Sequence, residues 1–420
     1  DKRDKTNTVT NPLKEINPTK DVTVKVGGDS IGGKSVYLNH TFLYRLDSSI
    51  LPPGRAYQTV TDWGGTDQLN TEYDQYLGNW AVYASRDLYR DGQMLAAKGE
   101  KIAGSGFDSS KFGGNLFTVD ADDNGKVTAD ATQAYLDLVS ADNEHEAGWV
   151  LYLQCKRIAV ADEVPNTWTE TINGQPRESN KVITKTPDMT PSIHLEKVDT
   201  PTLKQEGQEQ ADRDDSKQAL KMDADSIGIT FIITNTSKTD PATGDGAWFK
   251  ASDLNLDDST IVGDAHVDMD SLTYPADWDT LVLKPGESVS VTGTLKGVKE
   301  GETHTDRAIV TGTPLVECAP SNGDPFNDKT DGGEDTDPEY STGDVTEIDG
   351  KQLCADTQTT SNTDDWNGYR AKPLASTGVA VLGLAGGALA VLLAGGSLLV
   401  FRKRHYAQGS GRHTAVNAGE

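Results

Sequence analysis

The run WVLYLQCKRIAV at 149–160 most constrains what this chain can fold into. It is rich in aliphatic and aromatic residues, lacks the three-to-four spacing of an amphipathic helix, and is too short to cross a membrane. A buried β-strand satisfies all three conditions. DVTVKV (21–26), SVYLNHTFLYRL (35–46) and NWAVYASRDLY (79–89) share its β-branched and aromatic character, and turn-forming clusters such as SILPPGR (49–55) and VDADDNG (119–125) separate them. One helix is expected near 131–141, where Tyr135, Leu138 and Val139 share a face. Many strands joined without a βαβ rhythm imply an all-β sandwich.

A second group of strands follows residue 188: IGITFIITNTS (227–237), LVLKPGESVSVTGTLKG (281–297) and DRAIVTGTPLVE (306–317), with a Pro285-Gly286 turn. These resemble the Ig-like repeats of bacterial surface stalks. Residues 322–349 hold ten acids against one lysine, which suits solvated loop better than core. DTQTTSNTDDWNG (356–368) has the composition of a spacer. TNTVTNPLKEINPTKDVTV (6–24) and SNKVITKTPDMTPSIHLEKVD (179–199) share one plan of last strand, Pro-containing hinge and Lys-bearing first strand. Domains are therefore expected head to tail. Residues 1–16 would close a preceding domain, 17–187 and 188–355 would form tandem Ig-like β-sandwiches, and 356–373 would be a wall-spanning linker.

Val379 to Phe401 is an uncharged run, followed at once by Arg402, Lys403 and Arg404. As a helix it would reach roughly 34 Å, enough to cross a bilayer core, and the basic triplet would keep residues 402–420 inside the cell. Leu374-Ala375-Ser376-Thr377-Gly378 precedes the run. Pentapeptide, apolar span and basic stop together resemble the cell-wall sorting signal of Gram-positive surface proteins, with Ala375 where the commonest form has Pro. The resemblance implies a membrane helix before sorting, cleavage by a sortase between Thr377 and Gly378, and attachment of Thr377 to peptidoglycan.

A net charge of −26 repels nucleic acid and suits a soluble surface protein. Asp1 follows no methionine or secretory signal, so more sequence is expected upstream. Cys155 lies inside the apolar run, while Cys318 and Cys354 flank a polar loop and are expected to pair outside the cell. Asp120, Asp122 and Asn124 begin a calcium-loop pattern, but Ala131 stands where the bidentate Glu belongs, so a turn is preferred. No other cofactor is expected. Gly28-Asp29-Ser30-Ile31-Gly32 matches a nucleophile elbow literally but runs into strand where that motif needs helix.

NPTKDVTV (17–24), VYLNHTFLYRL (36–46), YDQYLGNWAVYASRDL (73–88), VLYLQCKRIAVADEVPNTW (150–168) and TINGQPRESNKVITKTP (171–187) resemble the C-terminal domains of streptococcal antigen I/II adhesins. The resemblance implies a variant Ig-like sandwich closed by an intramolecular Lys–Asn isopeptide bond. Mapped by motif, the lysine is Lys20, the asparagine Asn166 in VPNTW, and the helper acid Asp62 or Asp67, with Asp62 preferred. Phe42, Tyr44, Trp80 and Trp168 would form its apolar cage. In the second domain Lys197 and Asp306 are candidates for another such bond, although Asp306 stands where similar repeats show Asn. The implied function is the stalk and anchor of a Gram-positive adhesin at the cell surface. It would project an upstream region toward host glycoproteins or other cells. The alternatives are the anchored stalk of a surface enzyme with its catalytic domain upstream, or a pilus subunit. No enzymatic set is present.

Overall fold

The structure is a computed structural model that describes residues 16–55, 59–200, 213–326 and 345–373. The pentapeptide 374–378, the apolar span 379–401, the tail 402–420 and most of the expected preceding domain lie outside the described residues. Among the described residues no helix is long and apolar enough to cross a membrane.

The first domain is built from two five-stranded antiparallel sheets that share one core. One sheet runs Thr19–Thr23, Thr41–Asp47, Trp149–Arg157, Asp74–Ala84, Lys101–Gly104 in spatial order. The other runs Gln175–Glu178, Trp168–Ile172, Trp63–Gln68, Lys126–Ala131, Phe117–Ala121. Trp63, Trp149, Trp168 and Phe117 fill the space between them, and Tyr135 from the helix Gln133–Ala141 closes it. A short ribbon, Ala161–Asn166 with Val182–Thr186, links the sheets at one side.

A strand in a sandwich normally alternates between buried and exposed. Trp149–Arg157 does not: it is buried almost throughout. Leu151 and Leu153 point into the core, while Val150 and Tyr152 belong to a second cluster with Leu43, Ala81 and Tyr83 on the outer face. Phe326 covers that outer face from the second domain. The unbroken apolar run therefore reflects two packed faces.

The second domain pairs Ile193–Asp199, Ser226–Asn235, Ser288–Lys296 and His266–Val267 in one sheet. Leu220–Met222, Asp364–Arg370, Thr303–Gly312 and Asn255–Val262 form the other, and Phe231, Ile233, Val291, Val310 and Trp366 lie in the shared core. Residues 356–373 are thus not a linker. Thr359–Thr360 pairs with Thr303–Gly312, and Asp364–Arg370 is a central strand whose Trp366 is fully buried. Trp366 among polar neighbours hides a strand whose other buried positions are Asp364, Asn367 and Gly368. Residues 322–349 are likewise not all solvated, since Phe326 is buried and Thr346–Ile348 pairs with Lys351–Ala355. Cys318 and Cys354 form a disulfide at the base of this excursion, with Cα atoms 4.9 Å apart.

Candidate functional site

Lys20 lies on the edge strand Thr19–Thr23, yet its side chain is fully buried and its ammonium pairs with Asp67. The Tyr44 ring lies 4.4 Å from Nζ, and Phe42 packs edge-on against Tyr44. Tyr44 is fixed in turn: its hydroxyl donates to Asp74 (2.7 Å), whose other oxygen accepts from Arg157 Nε (2.8 Å). The backbone of Lys20 is clamped by Asn180, which accepts from its N–H (2.9 Å) and donates to its carbonyl (2.8 Å). Burial pushes the lysine pKa below its ordinary value against the pull of Asp67. A lysine in this state gives up its proton more readily than one in water.

Trp168 joins the parts. It sits opposite Asp67 in the sheet register, and its indole N–H donates to the Thr19 carbonyl at 3.1 Å. Asn166, two positions earlier, ends the ribbon strand Ala161–Asn166 and is buried. Its side-chain nitrogen and oxygen both lack a hydrogen-bond partner, as does Asp67 Oδ1. A buried carboxamide with neither end satisfied is costly in any static interior. Trp80, also expected in the cage, is only partly buried at the edge of the core.

Asp62, the preferred helper from sequence, is placed elsewhere. It precedes the strand Trp63–Gln68 and accepts from the Gly174 N–H (3.1 Å) in a surface turn. Five positions separate it from Asp67, an odd step that puts the two on opposite faces of an extended chain. The acid beside Lys20 is Asp67.

A second buried cluster occupies the second domain. Lys197, on the strand Ile193–Asp199, is fully buried, with its ammonium on Asp258 and 2.7 Å from Asp306 Oδ2. The Phe231 ring lies 5.4 Å from Nζ, and His304 Nε2 is 3.5 Å from Asp306. Burial is the main cause that pushes Asp258 up to about 6. Sequence reasoning missed Asp258. It lies in NLDDSTIV, where two adjacent acids suggest an exposed edge, and only strand alternation separates inward Asp258 from outward Asp257.

The calcium-loop residues sit in the hairpin between Phe117–Ala121 and Lys126–Ala131. There Asp122 Oδ1 accepts from the N–H groups of Asn124 (2.9 Å) and Lys126 (3.0 Å). Among the described residues no group of three or more His, Cys, Asp or Glu side chains could hold a metal ion.

Two all-β sandwiches each bury a lysine against aspartate. Residues 17–187 match the family model described as cell surface antigen C-terminus. Aggregation substance of Enterococcus faecalis is 35% identical over 189 residues, which is 44% of this chain and 14% of that protein. The C-terminal domain of the Streptococcus pyogenes antigen I/II-family protein AspA is 29% identical and covers 41% of this chain and 48% of that one, with a TM-score of 0.35. The C-terminal domain of the Streptococcus agalactiae AgI/II polypeptide BspA is 23% identical over 41% of this chain and 50% of that one, also at 0.35. Residues 17–187 are similar to cell surface antigen C-terminal domains, and these relatives mark the chain as a cell-surface protein. Its relatives are adhesin and antigen domains, not enzymes.

Proposed function

We propose that this chain is the C-terminal stalk and anchor of a Gram-positive adhesin, without enzymatic activity of its own. Its two sandwiches are Ig-like. They hold an upstream binding region away from the wall, toward a host glycoprotein or another microbial surface. The observation that carries the stalk reading is the buried Lys20–Asp67 pair together with the buried, unsatisfied amide of Asn166. In the proposed reaction neutral Lys20 Nζ attacks Cγ of Asn166, the C–N bond to the amide nitrogen breaks, and ammonia leaves. Asp67, in its protonated form, polarises the carboxamide and relays protons to the leaving group. Folding supplies the proximity. The bond would close most of the domain into one covalent loop, adding about 5 kcal/mol in the chain-entropy model.

Intact mass tests it. Reduced wild-type protein should weigh about 17 Da less than sequence for this bond, the mass of the ammonia lost. Lys20→Met, Asn166→Ala and Asp67→Ala should each abolish that deficit, while Asp62→Ala should keep it. A folded, aged wild type without the deficit overturns the reading. The anchor is tested separately. Digested walls should release a C-terminal peptide ending at Thr377, joined to peptidoglycan by a sortase; peptides spanning Phe401-Arg402 in that fraction would refute it.

A further inference from the structure

Thr19–Thr23 lies at the edge of its sheet, so the main-chain groups on its open side must find partners outside the ladder. At Val22 they are met locally: its N–H donates to Asp21 Oδ1 (2.7 Å), and its carbonyl accepts from the Ile31 N–H (2.8 Å). Lys20 is met from the far end of the domain, by the carboxamide of Asn180, whose Oδ1 accepts from the Lys20 N–H while Nδ2 donates to the Lys20 carbonyl. One side chain thus supplies both bonds that an antiparallel neighbour would make. Asn180 is exposed, so water could satisfy its carboxamide, and holding it in a two-point clamp costs side-chain freedom.

The clamp is tied to the rest of the site. The Ser179 N–H donates to the Trp168 carbonyl (2.9 Å), and the Trp168 N–H donates to Ser179 Oγ (3.1 Å). The Trp168 indole closes the circuit on the Thr19 carbonyl. Asp67 lies opposite Trp168 in register, and Asn166 lies opposite Val182, two residues beyond Asn180. The carboxamide therefore sits where the strands bearing Lys20, Asp67 and Asn166 are joined. In the second domain Asn362 grips the edge strand Ile193–Asp199 in the same way, at the N–H (2.8 Å) and carbonyl (2.9 Å) of Leu195. There the gripped residue is apolar and the clamp only seals an edge. In the first domain it grips the lysine itself.

We propose that Asn180 is a positioning residue for the Lys20 reaction: by fixing the lysine main chain from the open side of the sheet, it sets how Nζ is presented in the core. Edge strands open locally at little cost, and a slip of the Lys20 main chain would carry the whole side chain with it. The bonds of Asn180 run to main-chain atoms, so it carries no proton and makes no covalent bond in the reaction.

The inference rests on the bond proposed above, and one experiment separates the two. Full-length wild type, Asn180→Ala and Asn180→Asp are refolded, and the branched peptide joining Lys20 to Asn166 is quantified by mass spectrometry over time. Asn180→Ala should form it about 100-fold more slowly than wild type, the cost of a displacement of about 1 Å. Asn180→Asp keeps the acceptor for the N–H but loses the donor for the carbonyl, so its rate should fall between the two. In a Lys20→Met background Asn180→Ala should melt with its parent, because the side chain is exposed, while amide exchange at position 20 quickens roughly tenfold. A merely structural role would lower the melting temperature and leave the rate alone. Wild type and Asn180→Ala cross-linking at one rate would overturn the positioning role and leave the bond standing; unchanged exchange at position 20 would also overturn it. A wild type that never forms the branch overturns both.

Discussion

Gly65 tests whether Trp168 is what assembles the Lys20 site. A Cβ at this position would lie 2.5 Å from the Thr169 carbonyl oxygen and 2.6 and 2.8 Å from two carbons of the Trp168 ring. Neither neighbour can yield cheaply. Thr169 is held in the sheet opposite Thr66, and the Trp168 ring packs 5.7 Å from that of Trp149 while its N–H is tied to Thr19. Overpacking of this kind costs about 1–3 kcal/mol, and with backbone on one side the upper part of that range applies. Gly65→Ala in a Lys20→Met background, where no cross-link can mask the loss, should therefore melt roughly 5–10 °C below its parent. With Lys20 restored, cross-linking after refolding should slow by about 100-fold, because a displacement of about 1 Å at the reacting groups costs that much. A calorimetric scan and a mass time course read the two effects. A Gly65→Ala protein as stable as its parent would show that the ring does not cover this glycine. Cross-linking at the parental rate would show that Trp168 does not set the site's geometry.

Phe326 is buried on the first domain's outer sheet, its carbonyl accepts from Lys101 Nζ at 2.7 Å, and Asp324 accepts from Ser105 Oγ at 3.0 Å. Phe326→Ala should weaken this docking by about 3 kcal/mol, raising the open population, and hence site-specific proteolysis before Asp324, by about 100-fold. Unchanged cleavage would refute the clamp. Asp364 titrates in the opposite sense to an ordinary surface acid: burial, with Asp214 and Glu196 nearby, pushes it up to about 8 despite its bond from the Lys197 N–H. Its folded pKa lies above the unfolded value near 4, so the stability it confers is complete below about 4 and is lost as pH rises through about 8. Melting temperature should fall from pH 6 to 9 in the parent and much less in Asp364→Asn, whose carbonyl still accepts that N–H; parallel profiles would refute the assignment.

Strand alternation made the all-β architecture legible, because Val, Ile, Tyr and Trp sit at inward positions of nearly every strand in the first domain. It failed where the inward residue is polar. Asp364 and Asn367 are buried in a strand whose composition is that of a spacer, and the paired acids at 257–258 conceal Asp258. Phe326 was invisible for a related reason: one aromatic in an acid-rich run carries no period, and its burial depends on a sheet far away in sequence. The positions of Lys20 and Asn166 came from resemblance to a family, and no periodicity in the chain marks them. The choice between Asp62 and Asp67 could have been made from parity alone, given that Trp63 points inward.

The order of the links along the chain bears on tension. A pull on a stalk enters the first domain through the strand holding Lys20 and leaves through Val182–Thr186, which pairs with the strand ending at Asn166. A bond from Lys20 to Asn166 would pass that load directly between the two and leave the intervening strands unloaded. In the second domain load enters at Ile193–Asp199, and a bond from Lys197 to Asp306 would carry it to the central strand of the opposite sheet. From there it meets Cys318 within a few residues, crosses the disulfide to Cys354, and arrives at Asp364–Arg370 without stretching the excursion between the cysteines. The links lie in series and do not overlap, so each shields a different stretch of chain. That arrangement would limit extension under shear more than it would raise the melting temperature, because each loop is closed where the force enters it.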